Sequence, residues 1–271
     1  MVTEMATSLR AAIVKWAEFL QTWAIPWCTG DAPREDAGIY PGEMAAFLGL
    51  CEVAGIRSIA ESGRGQHAYS TQILGEYADK TGVEVVSIDR EPDPIRGAQV
   101  RERLKRYPQV RCLVGDAFDV LPDAMRGLRG PIALLVDGPK AYEANSLSLV
   151  ASLLFDVAVV AHHSHLDLPW GRRFAKLFPG AFHYEALGLS AIQEWQAFKR
   201  WEREWVKGYE TPDVSHGLLG RSLAASSLAM AVLQRTRRSA FALFQVRNGS
   251  LRHHPLWLWM KWSVHTSRLN T

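Results

Sequence analysis

The chain opens with apolar side chains at Leu9, Ala12, Ile13, Trp16, Leu20 and Trp23, a spacing that puts them on one face of a helix over residues 8–24. Ile25-Pro26 ends that helix, and a polar stretch follows (TGDAPREDAG). Pro41 opens a second helix, GEMAAFLGLCEVAG, which Gly55 closes. The pattern then changes. Short runs rich in β-branched residues alternate with helical ones: IRSIAES and a helix over about 70–81, VEVVSID and a helix over about 93–107, VRCLVGD and a short helix, IALLVDG and a helix over about 141–154, then VAVVAHH. Strands that are apolar along their whole length, each followed by a helix, predict a parallel sheet covered on both faces. Right-handed crossovers make that sheet doubly wound. Beyond residue 165 two further segments, AFHYEALGL and SAFALFQVR, read as strands with a mostly helical insertion between them. The expected organisation is an N-terminal helical cap over 1–55, an α/β core over 56–165, and C-terminal strands with a helical insertion and a Trp-rich tail over 166–271.

Composition adds a few constraints. Of the 271 residues 48% are hydrophobic and 22% charged, enough to build a large core without an unusual charge load. The net charge of +3 comes without a long Lys/Arg block, which argues against a nucleic-acid partner. Cys28, Cys51 and Cys112 lie far apart and read as free thiols of a reducing compartment. The N-terminus lacks a basic region ahead of an apolar run, and the most apolar window, residues 147–161, contains Asp156 and is shorter than the ~20 residues a membrane span needs. The expectation is a cytoplasmic protein with no membrane span.

The candidate chemistry lies at the strand ends. Ala60-Glu61-Ser62-Gly63-Arg64-Gly65 follows the first strand and precedes a helix, and its glycines allow a tight turn and a close ligand approach. The second strand ends in Ser87-Ile88-Asp89, where a carboxylate can accept bonds from both hydroxyls of a ribose. The third ends in Gly115-Asp116-Ala117 and the fourth in Val136-Asp137-Gly138-Pro139. Glu61, Asp89, Asp116 and Asp137 therefore crowd the carboxyl edge of the sheet, where open α/β sheets bind ligands. Like charges gathered on one edge disfavour the fold, so their presence points to binding.

The series ESGRG, SID, GDA and LVDG, over about residues 40–165, resembles the class I S-adenosylmethionine (SAM)-dependent methyltransferases, and among them the small-molecule O-methyltransferases. The stretch Tyr69-Ser70-Thr71 looks like that group's glycine loop running into its next helix. The resemblance implies a Rossmann-like fold. It implies that Glu61, Gly63 and Gly65 hold the methionine part of SAM, that Asp89 binds the ribose and that Asp116 with Ala117 lies by the adenine; Asp137 is taken as a further cofactor-binding residue. The family's frequent third glycine is His67 here. An NAD-type oxidoreductase is the alternative within the fold: its G-x-G-x-x-G would fall on Gly63, Gly65 and position 68, which is Ala68, but it gives Asp116 and Asp137 no task. A non-catalytic partner subunit on the same fold is the third.

Ala161-His162-His163-Ser164-His165 ends the fifth strand. Metal-dependent members of the resembled group bind a divalent ion at the fourth and fifth strand ends. The equivalent set here is Asp137 with His163 and His165, and imidazole suits a softer ion than magnesium. His162 or His163, with Asp137 beside them, can instead take a proton from an acceptor hydroxyl. A third reading makes the histidines satisfied polar residues of a strand end. All three stay open on sequence, and Lys140 reads as a solvated helix-start lysine, with a polar group near the methyl donor as the alternative. Trp195, Phe198, Trp201 and Trp205 fit the core face of an amphipathic helix, or else a lid or dimer contact. The tail tryptophans Trp257, Trp259 and Trp262 suggest packing or self-association, so a homo-oligomer is among the expected states. The function expected is methyl transfer from SAM to an oxygen of a small-molecule acceptor.

Overall fold

The computed structural model describes residues 2–23, 39–65, 67–163, 169–207 and 228–232. Helix α1 (Val2–Thr22) extends the predicted helix toward the N-terminus, and its stripe Leu9, Ile13, Trp16 and Leu20 is buried. Helix α2 (Pro41–Val53) starts where Pro41 supplies a preset φ, and Glu43 accepts a bond from the Tyr40 amide at 2.7 Å. Its residues are buried almost throughout, as an apolar helix under α1 must be.

Six strands follow: β1 (Ser58–Ser62), β2 (Glu84–Asp89), β3 (Val110–Val114), β4 (Ile132–Val136), β5 (Val157–His163) and β6 (Leu228–Val232). Their order is β3-β2-β1-β4-β5-β6; the first five are parallel and β6 runs antiparallel to β5. The connecting helices are α3 (Tyr69–Thr81), α4 (Pro94–Leu104), α5 (Ala117–Arg126) and α6 (Ala141–Leu154), and α7 (Pro169–Leu177) and α8 (Gln193–Lys207) lie between β5 and β6. This is the doubly wound, mostly parallel, Rossmann-like sheet that the alternating pattern predicts. The period of two along each strand sorts the core into two layers. Ile59, Val85 and Leu135 face α1, α2, α3 and α8; Ala60, Val86, Leu134 and Val160 face α5, α6 and α7. Helix α4 covers the β2–β3 edge with Val100 and Leu104.

The C-terminal part departs from expectation. AFHYEALGL forms no strand: Phe182 makes one antiparallel bridge to Met230, and short 3₁₀ turns at Tyr184–Leu187 and Leu189–Ala191 follow, parted by Gly188 at φ 66°. The strand beside β5 is LAMAV, inside the stretch read as helical insertion. SAFALFQVR and the Trp-rich tail lie outside the described residues. Helix α8 packs Trp195 and Phe198 into the core under α1 and α2, which favours the packing reading over a lid. Its Glu202, 3% exposed, accepts from the Gly42 amide at 2.5 Å and so satisfies the start of α2. Among the described residues no helix is long and apolar enough to cross a membrane.

Candidate cofactor cleft

The strand order reverses direction between β1 and β4, and in an open α/β sheet the crevice at that point is the natural ligand site. Backbone bonds stitch the strand ends there. The Asp137 and Gly138 amides both donate to Ser62 O at 2.8 Å, Gly63 donates to Ile88 O at 2.9 Å, and Gly115 donates to Asp89 O at 2.8 Å. A cavity of about 470 Å³ opens over these ends, lined by Ser62, Gly63, Asp89, Arg90, Asp116, Ala117, Gly138 and Lys140 among others. That volume lies within the ~300–1,000 Å³ of small-molecule sites.

The two glycines of the β1 loop differ in cause. Gly63 has φ 94°, and a Cβ there would stand 2.8 Å from both the Asp137 carbonyl carbon and the Gly138 Cα. It is glycine because the β4 loop rests on it. Gly65, at φ 68°, has open space around it, and its amide donates to Asp89 Oδ2 at 2.9 Å. Of the predicted cofactor residues, Gly63, Asp89, Asp116 and Ala117 line the cavity.

Glu61 does not line it. The side chain points into the layer under α3 and is fully buried. Ser70 and Thr71, at the start of α3, and Ser87 of β2 all donate to its carboxylate, Thr71 at 2.6 Å and Ser87 at 2.5 Å. Burial pushes the Glu61 carboxyl above its ordinary range, while those hydroxyls and the Arg64 charge pull it back. Held in this way, Glu61 braces the β1 loop from below.

Asp89 accepts from Gly65 N and, through Oδ1, from Glu91 N at 2.7 Å. Asp116 caps α5 by accepting from Phe118 N at 2.9 Å, and its other oxygen pairs with Arg90 at 2.5 Å. Asp137 forms an ion pair with Lys140, which stands at the start of α6 with its side chain 59% exposed and also lines the cavity.

His162 sits on the α7 side of β5, fully buried, with its ring 5.3 Å from that of Phe174. It is not among the residues that line this cavity. His163 pairs with Leu228 through the sheet register, and His165 lies outside the described residues. Since Val136 pairs with His162, Asp137 and His163 are the next residues in register on neighbouring strands. Among the described residues no three candidate ligands come together for a metal ion, and Asp137 already has Lys140 as counter-ion.

Sequence reasoning missed Arg64, Arg90 and Glu91, which join the first three strand ends. Two signals pointed to them. Arg64 stands between two loop glycines, and Gly97 sits inside α4, where glycine costs about 1 kcal/mol against alanine unless something needs the room.

No protein-family model matches the chain, and no curated protein matches it. Similar solved structures do exist. An SAH-bound methyltransferase of Podospora anserina is 18% identical, with 79% of this chain and 88% of that one aligned and a TM-score of 0.44. TrmN from Thermus thermophilus is 19% identical over 59% of this chain and 46% of its own, with a TM-score of 0.40. The CMeT domain of the citrinin polyketide synthase is 17% identical over 52% and 38%, with a TM-score of 0.34. The chain therefore spans less than half of the latter two.

Proposed function

We propose that the chain is a SAM-dependent methyltransferase acting on an oxygen of a small-molecule acceptor. One observation carries the cofactor reading: a single cavity at the switch point is walled by the ends of four neighbouring strands, with Asp89 at the second and Asp116-Ala117 at the third. An adenosine needs this order of groups. Asp89 keeps lone pairs for the two ribose hydroxyls while Gly65 N and Glu91 N hold its orientation. Ala117 gives a small apolar contact for a purine. Arg90 compensates the charge of Asp116 and so lowers the repulsion among the edge carboxylates.

SAM supplies an activated methyl group when bound, so the protein's tasks are alignment, exclusion of water and removal of the acceptor proton. His163, next in register to Asp137, is proposed as the proton acceptor. No metal step enters this reading.

The test is isothermal titration with S-adenosylhomocysteine and, separately, NAD. Micromolar binding of the former, on the order of −8 kcal/mol, with no heat from NAD is the expected result. NAD binding without a response to S-adenosylhomocysteine would replace this reading with the oxidoreductase one.

A further inference from the structure

A guanidinium from the glycine loop is buried beneath that loop. Arg64 stands between Gly63 and Gly65, yet its side chain is only 1% exposed. It runs beneath the strand ends. Nη1 donates to Ser87 O of β2 at 2.9 Å, and Nη2 reaches Leu113 O of β3 at 3.4 Å and Glu91 Oε1 at 2.5 Å. Glu91, 6% exposed on its side chain, is folded back at φ 49° and also pairs with Arg101 of α4. Gly97 makes room for it, since a Cβ there would stand 2.6 Å from the Glu91 carboxyl carbon.

Both amides that aim Asp89 depend on this one side chain. Gly65 N belongs to the residue after Arg64, and Glu91 N belongs to the residue whose carboxylate Arg64 grips. Neither amide is fixed by a strand ladder. We propose that Arg64 is a positioning residue: through the Gly65 and Glu91 amides it holds the Asp89 carboxylate in the orientation that receives the two hydroxyls of a ribose. The inference rests on the cofactor reading above. A planar fork suits the task, because one guanidinium can satisfy two carbonyls and a carboxylate at once, which an ammonium cannot do with the same geometry. A carboxylate that is aimed before the ligand arrives has no ordering to lose on binding.

The test measures S-adenosylhomocysteine and its 2′-deoxy analogue on the full chain. The wild type should prefer the hydroxylated ligand by about tenfold or more, the worth of a charge-assisted bond. In Arg64→Met the affinity for S-adenosylhomocysteine should fall on the order of tenfold and the preference should shrink toward one. Arg64→Lys should behave like Met, because it restores charge without the fork. Leaving Glu91 buried alone can unfold the protein, so Arg64→Met/Glu91→Met, which removes both charges, is measured beside it. A folded double variant with the wild-type preference overturns the assignment, as does failure of every variant to fold, which would make Arg64 a folding residue only. A wild type that binds neither ligand instead overturns the cofactor reading, and this assignment with it.

Discussion

Replacing Gly63 by alanine should damage the molecule far more than replacing Gly65, although both belong to one short loop. Alanine at 63 meets two costs. A φ of 94° lies where an L-residue is strained, by roughly 1–2 kcal/mol. The new Cβ would also lie 2.8 Å from the Asp137 carbonyl carbon and the Gly138 Cα, which are backbone atoms that cannot rotate aside. Forcing such overlap costs about 1–3 kcal/mol more. Together this is about 3 kcal/mol, or roughly 6–12 °C in melting temperature for a chain of this size. At 65 the space is open and only the strain at φ 68° remains, about 1–2 kcal/mol. Thermal unfolding of the two variants checks the stability order, and titration with S-adenosylhomocysteine checks the site, since Gly63 and Gly138 both line the cavity. Gly63→Ala should lose both stability and affinity. A Gly63→Ala protein that melts at or above Gly65→Ala would refute the claim that the β4 loop rests on this glycine.

Burial holds Glu61 above the ordinary carboxyl range in the folded protein. The folded state therefore keeps that proton to higher pH than the unfolded chain does. The stability contribution of this group is greatest below about pH 4, near its unfolded value, and is lost as pH rises through the folded value. Glu61→Gln, which does not titrate, should remove this fall; urea unfolding across the acid range measures it, and an unchanged slope would place the titration elsewhere. His163→Ala should lower turnover by about 10²–10⁴-fold while changing S-adenosylhomocysteine affinity little, as read by steady-state rates and titration. Normal turnover with the true acceptor would make the histidine cluster structural.

The sheet was legible because its strands are short, apolar and separated by helices of clear period, so their carboxyl ends, and with them Asp89, Asp116 and Asp137, could be located. The inward course of Glu61 was legible only in part. It shares a strand face with Ile59, two residues earlier, and that face turned out to be the α3 layer. The span LAMAV escaped because five apolar residues carry no period that separates a strand from a helix. AFHYEALGL misled for the opposite reason: its apolar residues alternate for a few positions, but the chain keeps only the one bridge at Phe182 before turning. The Arg64–Glu91–Arg101 group was legible only as hints, Arg64 between two glycines and Gly97 inside a helix, since its pairs join residues far apart in sequence and its glutamate takes a left-handed backbone.

A crystal structure of the chain with S-adenosylhomocysteine tests the central claim most directly. The account predicts a nucleoside in the cavity over β1–β4, its ribose hydroxyls within about 3 Å of the Asp89 carboxylate and its purine beside Asp116 and Ala117. A nucleoside bound elsewhere, or a cavity that stays empty at saturating ligand, would contradict it.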